Sequence, residues 1–157
     1  MSAKGQIFSI DFLVACTIFL ITVTILYVYW GYTTIQIEET RFTNDMTDKL
    51  NLASQVWFKE GTPIYWDSSN VIELGLQNNH EFNETKMNNL NSIGYQRVMT
   101  LVGILSYNFY YRLYDENNST LFEFGLTPSN SKNLVRSKRV GILNGSIAFL
   151  EVVLWSI

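Results

Sequence analysis

The chain has 157 residues, a net charge of -3, 47% hydrophobic residues and 15% aromatic residues. This length accommodates one membrane anchor and one modest domain, and the composition is too apolar for a disordered chain. The acidic balance argues against nucleic-acid binding, so we expect no nucleic-acid partner. The one basic cluster, Arg136, Lys138 and Arg139, alternates with Ser137 as on a strand, and a solvated strand edge explains it better than a phosphate or lipid-headgroup site.

Residues 12–30 contain no charged side chain. A helix over this range covers about 28 Å, close to the hydrocarbon thickness of a bilayer. A secretory signal peptide has a shorter apolar region and a small-residue cleavage site, whereas this run ends in a cluster of aromatic residues: Tyr27, Tyr29, Trp30 and Tyr32. We predict a transmembrane segment at 12–30, with a buried helix of a soluble core as the alternative.

The flanking charges predict the orientation of this segment. Lys4 and the amino terminus are positive on the short side, and Glu38 and Glu39 are the first charges on the other side. The positive-inside rule therefore places the N-terminus in the cytoplasm and the C-terminal domain outside, in a single-pass membrane protein.

After the span, a helical period continues through residues 31–60. Apolar side chains recur at steps of three, four or seven, and charged residues lie mostly on other faces. The apolar positions are Ile35, Phe42, Met46, Leu50, Ala53 and Trp57. Gly61 and Pro63 end this amphipathic continuation, because proline cannot continue a helix.

Residues 61–157 are predicted to form an extracytoplasmic α+β head. Val71–Leu76 is short and apolar enough for an edge strand, and 85–106 shows the spacing of a second helix. Segments 107–115 and 120–126 alternate like a hairpin, and the Asn144-Gly145 pair favours a tight turn between two further strands. The fold class is therefore α+β: a long transmembrane-to-amphipathic helix packed on a mostly antiparallel sheet of about four strands.

The sequence offers little catalytic chemistry. The single histidine, His80, has only Glu81 and Glu84 nearby in a predicted loop, and a metal site needs several convergent ligands. Cys16 lies within the apolar run, where a small hydrophobic role is more common than a reactive thiol. We therefore predict no enzyme activity, no metal site and no cofactor.

Asn-x-Ser/Thr patterns occur in predicted loops and turns of the head. Such patterns are N-glycosylation acceptors in exported proteins, although an Asn-rich chain also produces them by chance. The candidate acceptors are Asn83, Asn117, Asn118 and Asn144.

The opening residues resemble the class III signal peptides of archaeal type IV pilin-like proteins. A short charged leader, Lys4-Gly5-Gln6, precedes Ser9, Asp11 and the apolar helix. The segments GTPIYW, VIELGL and the closing VVLW also look like uncharacterised archaeal pilin-like proteins. The resemblance implies that prepilin peptidase cuts on the cytoplasmic side of the apolar segment, after Gly5 or after Gln6, so that 1–11 is the leader and cleavage region.

The resemblance further implies that the chain is a pilin-like subunit of a cell-surface filament, and specifically a minor pilin. Its partners would be the membrane, prepilin peptidase, other pilin subunits through helix bundling, and an assembly platform protein with its ATPase system. Asp11 would set the subunit register by pairing with the new N-terminal amine of a neighbour; the alternative is an Asp at headgroup level with no partner. The alternative is a single-span surface protein whose outer domain binds a ligand or a cell-wall component. A membrane-anchored hydrolase is a weaker third option.

Overall fold

The structure, a computed structural model, describes residues 4–129, 131 and 133–156, with side chains from Ile10 onward. Its class is α+β, with a long N-terminal apolar helix and a mixed six-stranded sheet. The elements in chain order are α1 (Lys4–Val56), β1 (Gln77–Asn78), β2 (Glu81–Phe82), α2 (Glu84–Ile93), α3 (Tyr95–Val102), β3 (Asn108–Tyr114), β4 (Thr120–Gly125), β5 (Asn133–Leu143) and β6 (Ser146–Ser156).

The chain divides into two compact units, residues 1–43 and residues 44–157, and the second is called the head. Helix α1 contributes residues to both. Every buried hydrophobic side chain among the described residues belongs to the head, the first being Met46. The head therefore contains the hydrophobic core, and the described part of residues 1–43 is exposed apolar helix.

The predicted amphipathic face of α1 is buried only in its C-terminal half. Met46, Leu50 and Ala53 are at most 4% exposed, whereas Ile35 is 60% exposed. The helix ends at Val56, four residues before the predicted end, and Trp57 follows in a turn. Trp57 lies in the core with its ring 5.1 Å from that of Tyr111. The end of α1 is thus fixed in the core by aromatic packing.

The sheet has the order β1-β2-β5-β6-β3-β4. All neighbouring pairs are antiparallel except β2 and β5, which meet in parallel at Phe82 and Leu143. The predicted count of about four strands was too low, because β1 and β2 have only two residues each and leave no alternation that a sequence pattern can reveal. The four long strands form the two predicted hairpins.

The strand predicted at Val71–Leu76 was wrong. Only Glu73 forms an isolated bridge, to Thr62, and the rest of the segment is irregular although Val71, Leu74 and Leu76 are buried. At Gly75 a Cβ atom would come within 2.3 Å of the Lys59 carbonyl oxygen. Burial of an irregular segment against the backbone after α1 therefore explains its apolar character.

The single helix predicted at 85–106 is two helices. Gly94 separates α2 from α3 with φ of 84°, a left-handed value that glycine tolerates and other residues rarely adopt. Asn83 caps α2, since its Oδ1 accepts from the Lys86 N–H at 3.1 Å. Gly103, with φ of 78°, ends α3.

The hairpin predicted at Asn144-Gly145 is present, with φ of 52° and 74° at the two turn residues. Strand β5 precedes this turn and begins at Asn133. The basic cluster lies on this strand, as predicted, and Arg136 and Lys138 are exposed. Arg139 points to the other face, where its Nε donates to the buried Ser54 Oγ at 2.9 Å, so the solvated-edge interpretation was wrong for this residue.

Lys86 is a buried cation that joins three segments of the head. The residue is 3% exposed, and its Nζ donates to the Glu60 carbonyl at 2.5 Å, to the Gln77 carbonyl at 2.9 Å and to Asn78 Oδ1. Burial lowers the pKa of Lys86, and the nearby Glu60 carboxylate opposes that shift. Three acceptors match the three donors of an ammonium group, so the interaction fixes the chain after α1 to β1 and α2.

We expect Lys86→Met to destabilise the head by about 2–3 kcal/mol, because it leaves three acceptors without their charged donor. Guanidinium unfolding of the full chain in micelles measures the change. Lys59→Met, at an exposed neighbouring lysine, is the matched control and should change stability by less than about 0.5 kcal/mol. Equal effects of the two substitutions would contradict the joining role of Lys86.

Alkaline pH should destabilise the head through Tyr107. Burial, and then the hydrogen bond from its hydroxyl to Asp45 Oδ2 at 2.7 Å, raises the pKa of Tyr107 to about 12. Because this exceeds the unfolded value near 10, the stabilisation is complete below about pH 10 and is lost as the pH rises through about 12.

Unfolding curves of the wild type and Tyr107→Phe over this pH range test the effect. The variant should be less stable at neutral pH but should lose less stability on going to high pH. Tyr65→Phe, at a tyrosine that is 83% exposed, should retain the wild-type pH dependence. An alkaline loss in Tyr107→Phe as large as in the wild type would show that Tyr107 does not cause it.

Candidate functional site

The first part of α1 presents an apolar surface that its own unit does not cover. One stretch of the helix is long and apolar enough to cross a membrane, with a mean hydropathy of 2.4 and no buried residue. Phe12, Leu20 and Val28 are each more than 60% exposed. This confirms that the chain has one N-terminal helix compatible with single-pass membrane anchoring.

Three threonine hydroxyls within this stretch form hydrogen bonds to the helix itself. The hydroxyls of Thr17, Thr22 and Thr24 donate to the carbonyls four residues earlier, at 2.7–2.8 Å. Such bonds remove the cost of placing a hydroxyl group in hydrocarbon. The threonines therefore do not require water or another chain as a partner.

Aromatic side chains mark the C-terminal end of the apolar stretch. Tyr27 is 80% exposed and Trp30 is 75% exposed, with Tyr29 and Tyr32 on the same segment. The Tyr32 hydroxyl accepts from Gln36 Nε2 at 2.8 Å, one turn further along the helix. Amphipathic rings followed by polar residues are typical of the headgroup level of a bilayer.

The predicted processing residues lie at the start of α1. Gly5 and Gln6 are helical in backbone, and their side chains lie outside the described part of the structure. Asp11 is exposed, and no ion pair to it occurs among the described residues. Its carboxylate is therefore accessible to a second molecule at the beginning of the apolar stretch.

The four candidate glycosylation residues differ in accessibility. Asn83 is half-buried and caps α2, and Asn144 donates its Nδ2 to Glu84 Oε1 at 2.7 Å. Asn117 and Asn118 are exposed in the turn between β3 and β4. Glycosylation joins a sugar to the amide nitrogen of Asn, so this turn is the best placed of the four positions.

His80 lies outside any metal-holding cluster among the described residues. It is exposed in the turn between β1 and β2 with φ of 68°. Within the part of the chain that the structure describes, no group of three or more His, Cys, Asp or Glu residues is positioned to hold a metal ion. Cys16 is a half-buried free cysteine in the apolar stretch.

One cluster that sequence reasoning missed lies on the outer face of the sheet, opposite the face that packs on the core. A row of alternating charges crosses four strands at one level. Arg112 on β3 is in register with Glu123 on β4 on one side and with Glu151 on β6 on the other. Glu151 is in turn in register with Lys138 on β5. This charge row is therefore acidic, basic, acidic and basic in strand order.

Glu151 is the best-shielded member of the charge row, with a side chain 11% exposed. Its Oε1 lies 3.3 Å from Arg136 Nε and 3.9 Å from Lys138 Nζ. An aromatic pair borders the row: the Tyr114 and Phe149 rings stack at 5.5 Å, and the Arg112 guanidinium lies 5.0 Å from the Tyr114 ring. The alternation of each strand was visible in sequence, but the register that aligns these residues was not.

Comparisons with protein-family models, with curated proteins and with solved structures gave no significant match to this chain.

Glycan mapping tests the ranking of the four asparagines. In protein from its native source, we expect peptide mass spectrometry to find sugar at Asn117 or Asn118 and not at Asn83. Asn83→Gln should instead weaken the cap of α2 and cost about 1 kcal/mol of stability. A glycan on Asn83 would contradict the structural ranking, since that side chain is occupied within the head.

Proposed function

We propose that the chain is a pilin-like subunit, of the minor kind, in an archaeal type IV pilus-type surface filament, and that it assembles through α1. The observation that supports this most directly is the contrast along one helix. The residues of α1 before the head expose nearly all of their apolar side chains, whereas Met46, Leu50 and Ala53 are core residues of the head. Helix α1 therefore contributes its C-terminal end to the core of the head and exposes its earlier part to an apolar environment outside the head.

The exposed stretch needs an apolar environment outside the chain. Leaving one large apolar side chain in water costs about 1.5–3 kcal/mol, and this helix carries more than ten of them. Lipid provides that environment before assembly, and packing against the same helix of other subunits provides it in a filament. Prepilin peptidase, an assembly platform protein and its ATPase are the partners that this route requires.

The orientation and the processing belong to the same proposal. Lys4 and the amino terminus face the cytoplasm, and the head lies outside the cell. Removal of the leader after Gly5 or Gln6 creates a new amine close to Asp11. An exposed carboxylate at the start of an apolar helix is costly unless it is paired, which supports its pairing with the amine of a neighbouring subunit.

N-terminal sequencing of the native protein tests this proposal against a plain membrane anchor whose head binds a ligand or a cell-wall component. A mature protein that begins at Gln6 or Ile7 is the expected result. A protein that still begins at Met1 or Ser2 would remove the pilin proposal and favour the plain anchor.

Asp11→Asn tests the register role. The substitution removes the charge but keeps the shape, so membrane insertion and leader removal should be largely unchanged while the amount in sheared filaments falls severalfold. Asp48→Asn, at an exposed position of α1 outside the apolar stretch, is the matched control. Wild-type incorporation of Asp11→Asn in the shear fraction would exclude the register role.

A further inference from the structure

We propose that the outer face of the sheet is a docking surface for the same face of a second copy of this chain, related to the first by a two-fold axis. The face is the one that carries the charge row of Glu123, Arg112, Glu151 and Lys138. Its occupant is identified by charge complementarity, because reversing the order of charges on this face gives the opposite charge at every position.

The face is exposed along its outer strands β4 and β5, whereas Glu151, Val153 and Trp155 on its central strand β6 are at most 9% exposed. Lys138 has a side chain 56% exposed, Val140 is 60% exposed, and Glu123 is exposed. The opposite face differs, since Phe109, Tyr111 and Leu150 there have no exposed surface. The opposite face therefore belongs to the core, and the outer face is accessible on β4 and β5 and carries an ordered pattern of charge.

The symmetry follows from the strand order β4-β3-β6-β5 across the charge row. A two-fold axis parallel to the strands and located between β3 and β6 places each strand over its mirror position in the order. Glu123 then faces Lys138 of the second copy, and Arg112 faces its Glu151. Because the interface is isologous, each pair occurs twice, giving four opposite-charge contacts.

The alternative two-fold axis, perpendicular to the strands, has the opposite result. It places β4 over β4 and β5 over β5, so that Glu123 faces Glu123 and Lys138 faces Lys138. Like charges facing each other across an interface are strongly unfavourable. Of the two axes compared, the charge row therefore favours the one parallel to the strands.

The neighbouring level of the sheet fits the same geometry. Tyr114 on β3 and Phe149 on β6 are in register, so the selected axis places each of these rings over the other ring type of the second copy. Val140 on β5 is the next residue in that level and contributes exposed apolar surface. Aromatic contact provides attraction, and the charge row fixes register and specificity.

The size of the face predicts a weak contact. Four strands at their usual spacing are roughly 19 Å wide, and the seven residues of β3 are roughly 23 Å long. The area of this face is smaller than that of a standard stable interface, which buries about 800 Å² per partner. If two copies are held in one membrane, they meet at a much higher effective concentration. This step alone rests on the proposed function. The docking surface itself does not depend on that function.

Two charge reversals and their mixture test the proposal. In the geometry proposed, Lys138→Glu places two pairs of acidic residues face to face, and Glu123→Lys places two pairs of basic residues face to face. In a mixed dimer of the two variants, every such pair is again of opposite charge. Rescue by mixing therefore reports a contact between copies and not a change within one chain.

The measurement is sedimentation velocity of the full chain in density-matched micelles over a concentration series. We expect the wild type to dimerise, each variant alone to dimerise at least about tenfold more weakly, and the equimolar mixture to recover wild-type dimerisation. The controls are Lys59→Glu and Glu81→Lys, which make the same charge changes at exposed positions outside the charge row and should dimerise like the wild type.

A wild type that stays monomeric, a variant that dimerises normally, or a mixture that fails to recover would each overturn the proposal. A chain carrying both reversals, Lys138→Glu with Glu123→Lys, keeps the experiment decisive if one single variant is unstable, because it restores both pairs in a homodimer. None of these outcomes involves leader removal or filament assembly, so failure here is distinct from failure of the proposed function.

Discussion

The first part of α1 carries an exposed apolar surface, and what covers it determines where the protein resides. A soluble protein covers such a surface with its own core, but here the described core begins at Met46 and draws nothing from the earlier part of the helix. The earlier part is long and apolar enough to cross a membrane. Its threonines bond within the helix, and its aromatic residues cluster at one end, as such an environment requires.

The head is held together by contacts that do not involve that surface. Trp57 ends α1 inside the aromatic core, Arg139 on β5 bonds to Ser54 on α1, and Lys86 joins the chain after α1 to β1 and α2. These contacts fix the last turns of α1 to the sheet. Helix α1 is thus packed into the head at its C-terminal end and exposes apolar side chains over its earlier part, which is compatible with single-pass membrane anchoring.

The sequence predicted the elements whose signal is local. The apolar length of 12–30, the Asn144-Gly145 turn and the burial of Met46, Leu50, Ala53 and Trp57 follow from period and turn chemistry. It failed where the signal depends on tertiary contacts. The apolar segment at 71–76 is buried without pairing, the two-residue strands have no period, and the charge row exists only through the register of four strands. Asp11, Gly5 and Gln6 remain predictions, because their roles depend on other molecules.

Membrane flotation of two chains shows whether the apolar part of α1 inserts into lipid. The full chain and the fragment 44–157 are mixed with lipid vesicles and centrifuged through a density gradient, and the fold of the fragment is checked by circular dichroism and cooperative unfolding. The account predicts that the full chain rises with the vesicles while the fragment stays behind, soluble and folded. A full chain that fails to float, or a fragment that does not fold without residues 1–43, would contradict it.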